Sequence, residues 1–210
     1  MEGHRRAMTP GDAPRPAPPR GRPPSTTHAE VERAALDLFA RDGFEHTTMD
    51  DIAEALGVGR RTLFRYFPSK NDIVWGDFDL VLDRLRGLLD ATPPEVPTMR
   101  ALADAIVESN RYAPEQLPEL RIRMTLITSV PALQAHSILR YEAWRQVVAE
   151  FVAARRGEDP GDLVPQTIGH AMLGTSMAAF VHWVVNPGDD LDANLAEAYG
   201  ILRESVALDP

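Results

Sequence analysis

Residues 43–72, GFEHTTMDDIAEALGVGRRTLFRYFPSKND, decide how the chain is read. Thr48 is followed by Asp50 and Asp51, carboxylates placed where a helix N-terminus favours them. Ile52, Ala53 and Leu56 then form one apolar face, which Gly57 closes. The turn Gly57-Val58-Gly59 lets a second, short helix from about Arg60 to Phe67 cross the first steeply, with Val58 plugging the shared core. In that helix Leu63 and Phe67 lie one turn apart and face inward, while Arg61, Arg65 and the flanking Phe64 project away. Such a unit sets its second helix in a DNA major groove with the first residues against base edges, here Arg60, Arg61 and Thr62. An Arg fork spans guanine O6 and N7, and a Thr methyl meets a thymine methyl. Thr47 and Thr48 offer hydroxyl and backbone N–H groups to a phosphate, Tyr66 a hydroxyl and Lys70 an ammonium. The expected partner is a double-stranded DNA operator.

Outward from this block the pattern stays helical. Upstream, Thr27 with Glu30 has capping-box spacing, and Val31, Ala34, Ala35, Leu38 and Phe39 recur at helical intervals until Gly43. Downstream, Ser69 with Asp72 starts a fourth helix, expected to run unbroken through Ile73, Trp75, Phe78, Val81, Leu82 and Leu85 to Leu89. Three prolines between Thr92 and Pro97 mark a connection. Further helices are expected at about 98–112, 116–128, 132–156, 162–185 and 191–207, broken at prolines and at Gly-containing stretches. No β-alternating run of useful length interrupts them. The expectation is an all-α protein of about nine helices. A three-helix helix-turn-helix domain over 26–72 precedes a ligand-binding and dimerisation domain over 73–210. Residues 1–25, with seven prolines and five Arg against two acids, read as a disordered basic arm; it is either a solvated tail or a minor-groove contact through Arg20 and Arg22.

The 210 residues carry a net charge of −9, which is unevenly placed. Residues 1–75 balance 11 basic against 11 acidic side chains, whereas 76–210 hold 11 against 20. An acidic body is repelled by phosphate, but a neutral head with clustered Arg can approach it. The absence of cysteine excludes disulfides, thiolate metal sites and cysteine nucleophiles. The six histidines show no metal spacing, and no nucleophile elbow, P-loop or dinucleotide fingerprint appears. No enzyme, cofactor or metal site is therefore expected. The longest strongly apolar run, Met177–Val185, is interrupted by His182, and no apolar stretch follows Arg5 and Arg6. A cytoplasmic protein without a membrane partner is expected.

As a composite, the block resembles the DNA-binding domain of the TetR/AcrR regulators: a TT-x-x-x-IA-x-x-x-GV start, a short T-L-[FY]-x-YF helix and an S-K turn, in order and in register. The resemblance implies phosphate contacts at Thr48, Tyr66 and Lys70, and base reading at Arg60, Arg61, Thr62 and Arg65. Phe64 stands where the family often has Tyr, and Arg65 where His is common. The stretches GRPPSTTHAE, YAPEQLPELRIRM and SVPALQAHSILRYEAWR extend the likeness to the TetR-type subgroup linked to mycofactocin biosynthesis. That subgroup implies a regulator, in the usual case a repressor, released by a long-chain acyl-coenzyme A. It also implies a homodimer, built through the last two helices, on a near-palindromic operator.

In the second region Met124, Trp144, Phe151, His170, Met177, Phe180 and Trp183 are read either as core or as the lining of an apolar cavity for a small effector. Arg121 and Arg123 are read as surface ion-pair partners or as contacts for an anionic head group. Gly169, Gly174 and Ala178 permit close helix approach, within the chain or across a dimer. The alternative to a regulator is an all-helical enzyme or carrier that keeps the helix-turn-helix for packing.

Overall fold

The computed structural model describes residues 26–207, so Arg20, Arg22 and the proline-rich arm lie outside the described residues. Those described form ten α-helices and one 3-10 turn, with no strand among them. The head is α1 (His28–Asp42), α2 (Met49–Ala55), α3 (Arg60–Tyr66) and α4 (Lys70–Trp75); the body is α5 (Phe78–Asp90), α6 (Thr98–Ser109), the 3-10 turn Pro114–Gln116, α7 (Leu117–Ser129), α8 (Pro131–Arg156), α9 (Leu163–Val185) and α10 (Leu191–Ala207).

Local chemistry sets the starts of the first helices. The Thr27 hydroxyl accepts from Glu30 N at 3.2 Å while Glu30 Oε2 accepts from Thr27 N at 2.8 Å; Thr48 and Asp51 repeat this reciprocal cap on α2. Between α2 and α3 the chain turns through Gly57 at φ 65°, and Val58 tucks against the core. Val31, Ala35, Phe39, Ile52, Leu63 and Ile73 are buried where α1 to α4 meet.

One expectation fails at Gly76. The helix read as continuous from Ser69 to Leu89 is two helices, because Gly76 adopts φ 57°, ψ −149° between α4 and α5. Only glycine takes that conformation readily. A Cβ there would lie 2.6 Å from Glu32 Oε2 and 2.9 Å from Arg123 Nη1, so the break also brings α1 and α7 close to the chain. This division raises the helix count from about nine to ten.

In the body α9 packs between α8 and α10, α10 also meets α6, and α7 bridges α1, α4, α8 and α9. Trp183, Leu85, Leu102, Ile106, Leu133, Met172 and Leu195 are its largest fully buried side chains. Helix α9 is apolar enough, at 23 residues and a mean hydropathy of 1.3 over its best window, to cross a membrane by length and composition alone. The shorter run read from the sequence understated it, because Gly169, Thr175 and Ser176 dilute the pattern without adding charge. Here it packs against the body on one side, and Leu163, Val164, Val181 and Val185 remain exposed.

Candidate nucleic-acid interface and ligand cavity

Helix α3 is seated by Leu63, fully buried, and by Phe67 at its C-cap. That seating leaves Arg60, Arg61, Phe64 and Arg65 exposed and Thr62 half-buried on the outer side. Arg60 Nη1 meets Asp50 Oδ2 at 2.8 Å, but both side chains are about 60% exposed, with Arg60 at 63% and Asp50 at 59%. Such a surface pair is weak, so Arg60 is easily drawn to a stronger anion. Arg61 and Arg65 have no ion-pair partner among the described residues. The Arg65 guanidinium lies 5.4 Å from the Tyr66 ring centre, and the Arg61 and Arg65 side chains are both exposed.

Four other residues read as DNA contacts have their polar groups engaged within the head. Thr47 is buried and its hydroxyl donates to Gly43 O at 2.9 Å, closing the turn before α2. Thr48 gives both its N–H and its hydroxyl to Asp51 Oδ2, at 2.8 and 2.7 Å. The Tyr66 hydroxyl donates its one hydrogen to Thr26 O at 2.5 Å, while His28 packs edge-on to the ring. Lys70 Nζ donates to Phe44 O at 2.7 Å and Thr47 O at 3.2 Å and sits 4.3 Å from the Phe44 ring centre. These groups brace the head, and the partners of Tyr66 and Lys70, more than twenty residues away, leave no local signal. Lys70→Ala is accordingly expected to lower stability by about 1–3 kcal/mol through the two orphaned carbonyls, with the salt slope of operator binding unchanged. A slope flatter by about one unit would place the ammonium on a phosphate instead.

In the body a cavity of about 110 Å³ lies between α5, α7, α8 and α9. Of the expected lining residues, Met124, Trp144, Met177 and Phe180 bound it, together with Arg123 and with Trp75, Phe78, Tyr112 and Tyr141, which the sequence does not mark as lining. Phe151, His170 and Trp183 do not line it. Phe151 lies under the Arg155 guanidinium, 4.9 Å from it. His170 is exposed and its Nδ1 faces Gln166 O at 2.8 Å. Trp183 is core, donating from Nε1 to Asp189 O at 3.2 Å with Arg121 stacked 3.8 Å over its ring. Arg121 therefore serves packing.

A more polar cleft of about 260 Å³ adjoins this cavity through five shared wall residues: Trp75, Val81, Tyr112, Leu120 and Arg123. Arg123 stands at the junction of head and body. Its Nη2 meets Glu32 Oε2 of α1 at 2.7 Å and Glu119 Oε1 at 3.3 Å, and its Nη1 donates to the Ile73 and Val74 carbonyls at the end of α4. At the other end of α4, Asp72 Oδ1 lies 3.2 Å from His136 Nε2 and 3.0 Å from Arg140 Nη2, both on α8. Burial would raise the Asp72 carboxyl, but the Ser69 hydroxyl, His136 and Arg140 together hold it below its ordinary value. Both ends of α4, the short helix that follows the α2–α3 unit, are thus pinned by polar side chains of the body.

With this geometry in place, two family models match the chain. "Bacterial regulatory proteins, tetR family" covers residues 33–74, and "MftR C-terminal domain" covers residues 96–207. A Mycobacterium tuberculosis protein named as the mycofactocin biosynthesis transcriptional regulator MftR is 41% identical over 182 residues, 87% of this chain and 92% of its own. The HTH-type transcriptional regulator TcmR of Streptomyces glaucescens is 28% identical over 174 residues, 80% of this chain and 77% of its own. Among solved structures, Thermus thermophilus FadR, a TetR family transcriptional repressor in complex with lauroyl-CoA, is similar with a TM-score of 0.52 at 24% identity, covering 85% of this chain and 94% of that one.

Proposed function

The chain belongs to the TetR family of DNA-binding transcriptional regulators, and from that premise we propose that it is a homodimeric repressor that an apolar effector releases from a near-palindromic operator. The observation that carries this reading is the outer face of α3, where Arg61 and Arg65, without an ion-pair partner among the described residues, stand beside Arg60, Thr62 and Phe64. We assign base and phosphate contacts to these five. The head over 26–72 reads DNA and the body over 73–210 senses and dimerises, in the cytoplasm and without catalysis.

Dimerisation through α9 and α10 is supported by the apolar surface these helices leave uncovered: Val181, Val185 and Ile201 are all exposed. A helix apolar on every side calls for a partner on every side. Gly174 and Ala178 are exposed on the same helix and allow close approach of a second copy. Gly169 does not belong to this face; its missing Cβ makes room for Arg145 O of α8. A symmetric dimer then sets the spacing of two half-sites.

The effector proposed is a long-chain acyl-CoA, as bound by the similar FadR. The cavity, about 110 Å³ in this structure, is smaller than the ~300 Å³ at which ligand pockets begin. A chain would enter by moving Met124 and Met177, whose unbranched thioethers repack at little cost. A state that binds the effector better than the closed one shifts the population away from operator binding.

The test selects bound sequences from random DNA and follows them by gel shift. Arg61→Ala is expected to weaken the selected operator by about 1–3 kcal/mol and to relax preference at one base position per half-site. Unaltered affinity and preference would remove Arg61 from the base readers. Lauroyl-CoA is expected to release the wild-type complex, and persistence of the complex at saturating lauroyl-CoA would refute the effector class.

A further inference from the structure

Trp75 ends α4 and is only 8% exposed, yet its indole Nε1 has no hydrogen-bond partner among the described residues. Buried donors in folded proteins are nearly always paired, and an unpaired one is a standing penalty. Of the two other buried indoles, Trp144 and Trp183, the more deeply buried Trp183 is paired with a backbone carbonyl. The Trp75 ring is held from several directions: Phe78 edge-on at 5.2 Å, Tyr141 edge-on at 5.6 Å and the Arg140 guanidinium 5.5 Å from its centre. It belongs to the walls of both the apolar cavity and the adjoining cleft. The residue that carries this unsatisfied donor therefore sits where an apolar chamber meets a polar one.

We infer that the Trp75 indole N–H is the polar anchor of the effector and takes a neutral carbonyl joined to an apolar chain. This rests on the effector-release reading above and specifies which atom of the ligand it recognises. The chain would occupy the side lined by Met124, Trp144 and Phe180, and the remainder of the ligand would leave through the cleft beside Gly76 and Gln116. Charge selects against a free carboxylate. The cleft holds Glu32, Asp77 and Glu119 against the single cation Arg123, which is already bound to two of them. An ester or thioester carbonyl itself accepts from the indole without adding to that negative charge, and the phosphates of a coenzyme A ligand must then lie beyond these carboxylates, outside the cleft. Because Trp75 is the last residue of α4, a ligand held there acts on the element behind the recognition helix with no intermediary.

The test compares decanoyl-CoA with its S-decyl thioether, which lacks the carbonyl oxygen, on full-length wild type and Trp75→Phe by titration calorimetry. Methyl decanoate and decyl methyl ether form a second pair without coenzyme A. Wild type is expected to prefer the carbonyl member of each pair by about tenfold, and Trp75→Phe to bind both members within about twofold. Equal preference in the two proteins, or none in wild type, overturns the assignment. Should the ester pair show the Trp75-dependent preference while neither coenzyme A compound binds, the acyl-CoA effector falls and the anchor stands. If none of the four binds, both fall. Independently of the variant's folding, one of the three indole N–H resonances of wild type should move downfield with the ester and not with the ether, and immobility of all three overturns the proposal.

Discussion

Replacing Arg123 with methionine is expected to destabilise the protein by about 3–5 kcal/mol, the cost of removing one partner from a buried ion pair. The side chain is only 15% exposed and Glu32, its partner, only 16%, so water cannot take over the lost contacts cheaply. The methionine fills much of the same volume, which isolates charge and hydrogen bonding from packing. What it leaves behind is a half-buried carboxylate on α1 and the Ile73 and Val74 carbonyls at the end of α4 without their side-chain donor. In a helical chain of this size the loss corresponds to roughly 10 °C in thermal midpoint. Pairing the change with Glu32→Gln separates the two parts. If Glu32 is the main creditor of the charge, the double variant recovers a good fraction of the loss, because the uncompensated carboxylate is gone. A thermal midpoint within about 2 °C of wild type for Arg123→Met alone would mean that Arg123 does not hold the head, which then docks through apolar packing and the contacts of Asp72 with His136 and Arg140.

Arg123 also shows where reading the sequence reaches its limit. Neighbouring Arg121 and Arg123 look equivalent in a helix-forming stretch, and nothing local tells a stacking partner of Trp183 from a clamp between α1, α4 and α7. Elements set by neighbours were legible: the cap Thr27–Glu30, the helix start at Thr48, the glycine turn at Gly57 and the start of α8, expected at about 132 and found at Pro131. The outward set of α3 was legible for the same reason, since Leu63 and Phe67 fix which way a seven-residue helix faces. Polar groups whose partners lie 20 to 40 residues away were not, as with Tyr66 on Thr26 or Lys70 on Phe44. The cavity was half-legible. Helix α9 is apolar on every side, so periodicity cannot separate Phe180, which faces the cavity, from Trp183, which faces Arg121.

Gly76 is the position at which the largest single-residue effect on architecture is expected, and the reason is the same one that hid it. Ile73, Trp75, Phe78, Val81 and Leu82 keep a helical period straight across it, and a glycine within a helix costs only about 1 kcal/mol relative to alanine. The chain nevertheless breaks there, at φ 57° and ψ −149°. Any side chain must be strained by about 1–3 kcal/mol in that region, and its Cβ would also push Glu32 and Arg123 apart from 2.6 and 2.9 Å. Gly76→Val should therefore lose at least as much stability as Arg123→Met. The substituted chain has a second way out, which is to adopt the continuous helix that its own periodicity favours, undoing the junction of head and body. Gly57→Ala is the comparison that separates these causes. Gly57 also has a positive φ, 65°, but open space where its Cβ would stand, so its substitution carries conformational strain alone, about 1–2 kcal/mol. The expected result is a Gly76 variant well below the Gly57 variant in thermal midpoint, with unchanged or increased helical circular dichroism at low temperature and no operator binding. Equal losses in the two variants would assign the whole effect to backbone strain and leave Glu32 and Arg123 no part in holding α4 against the body.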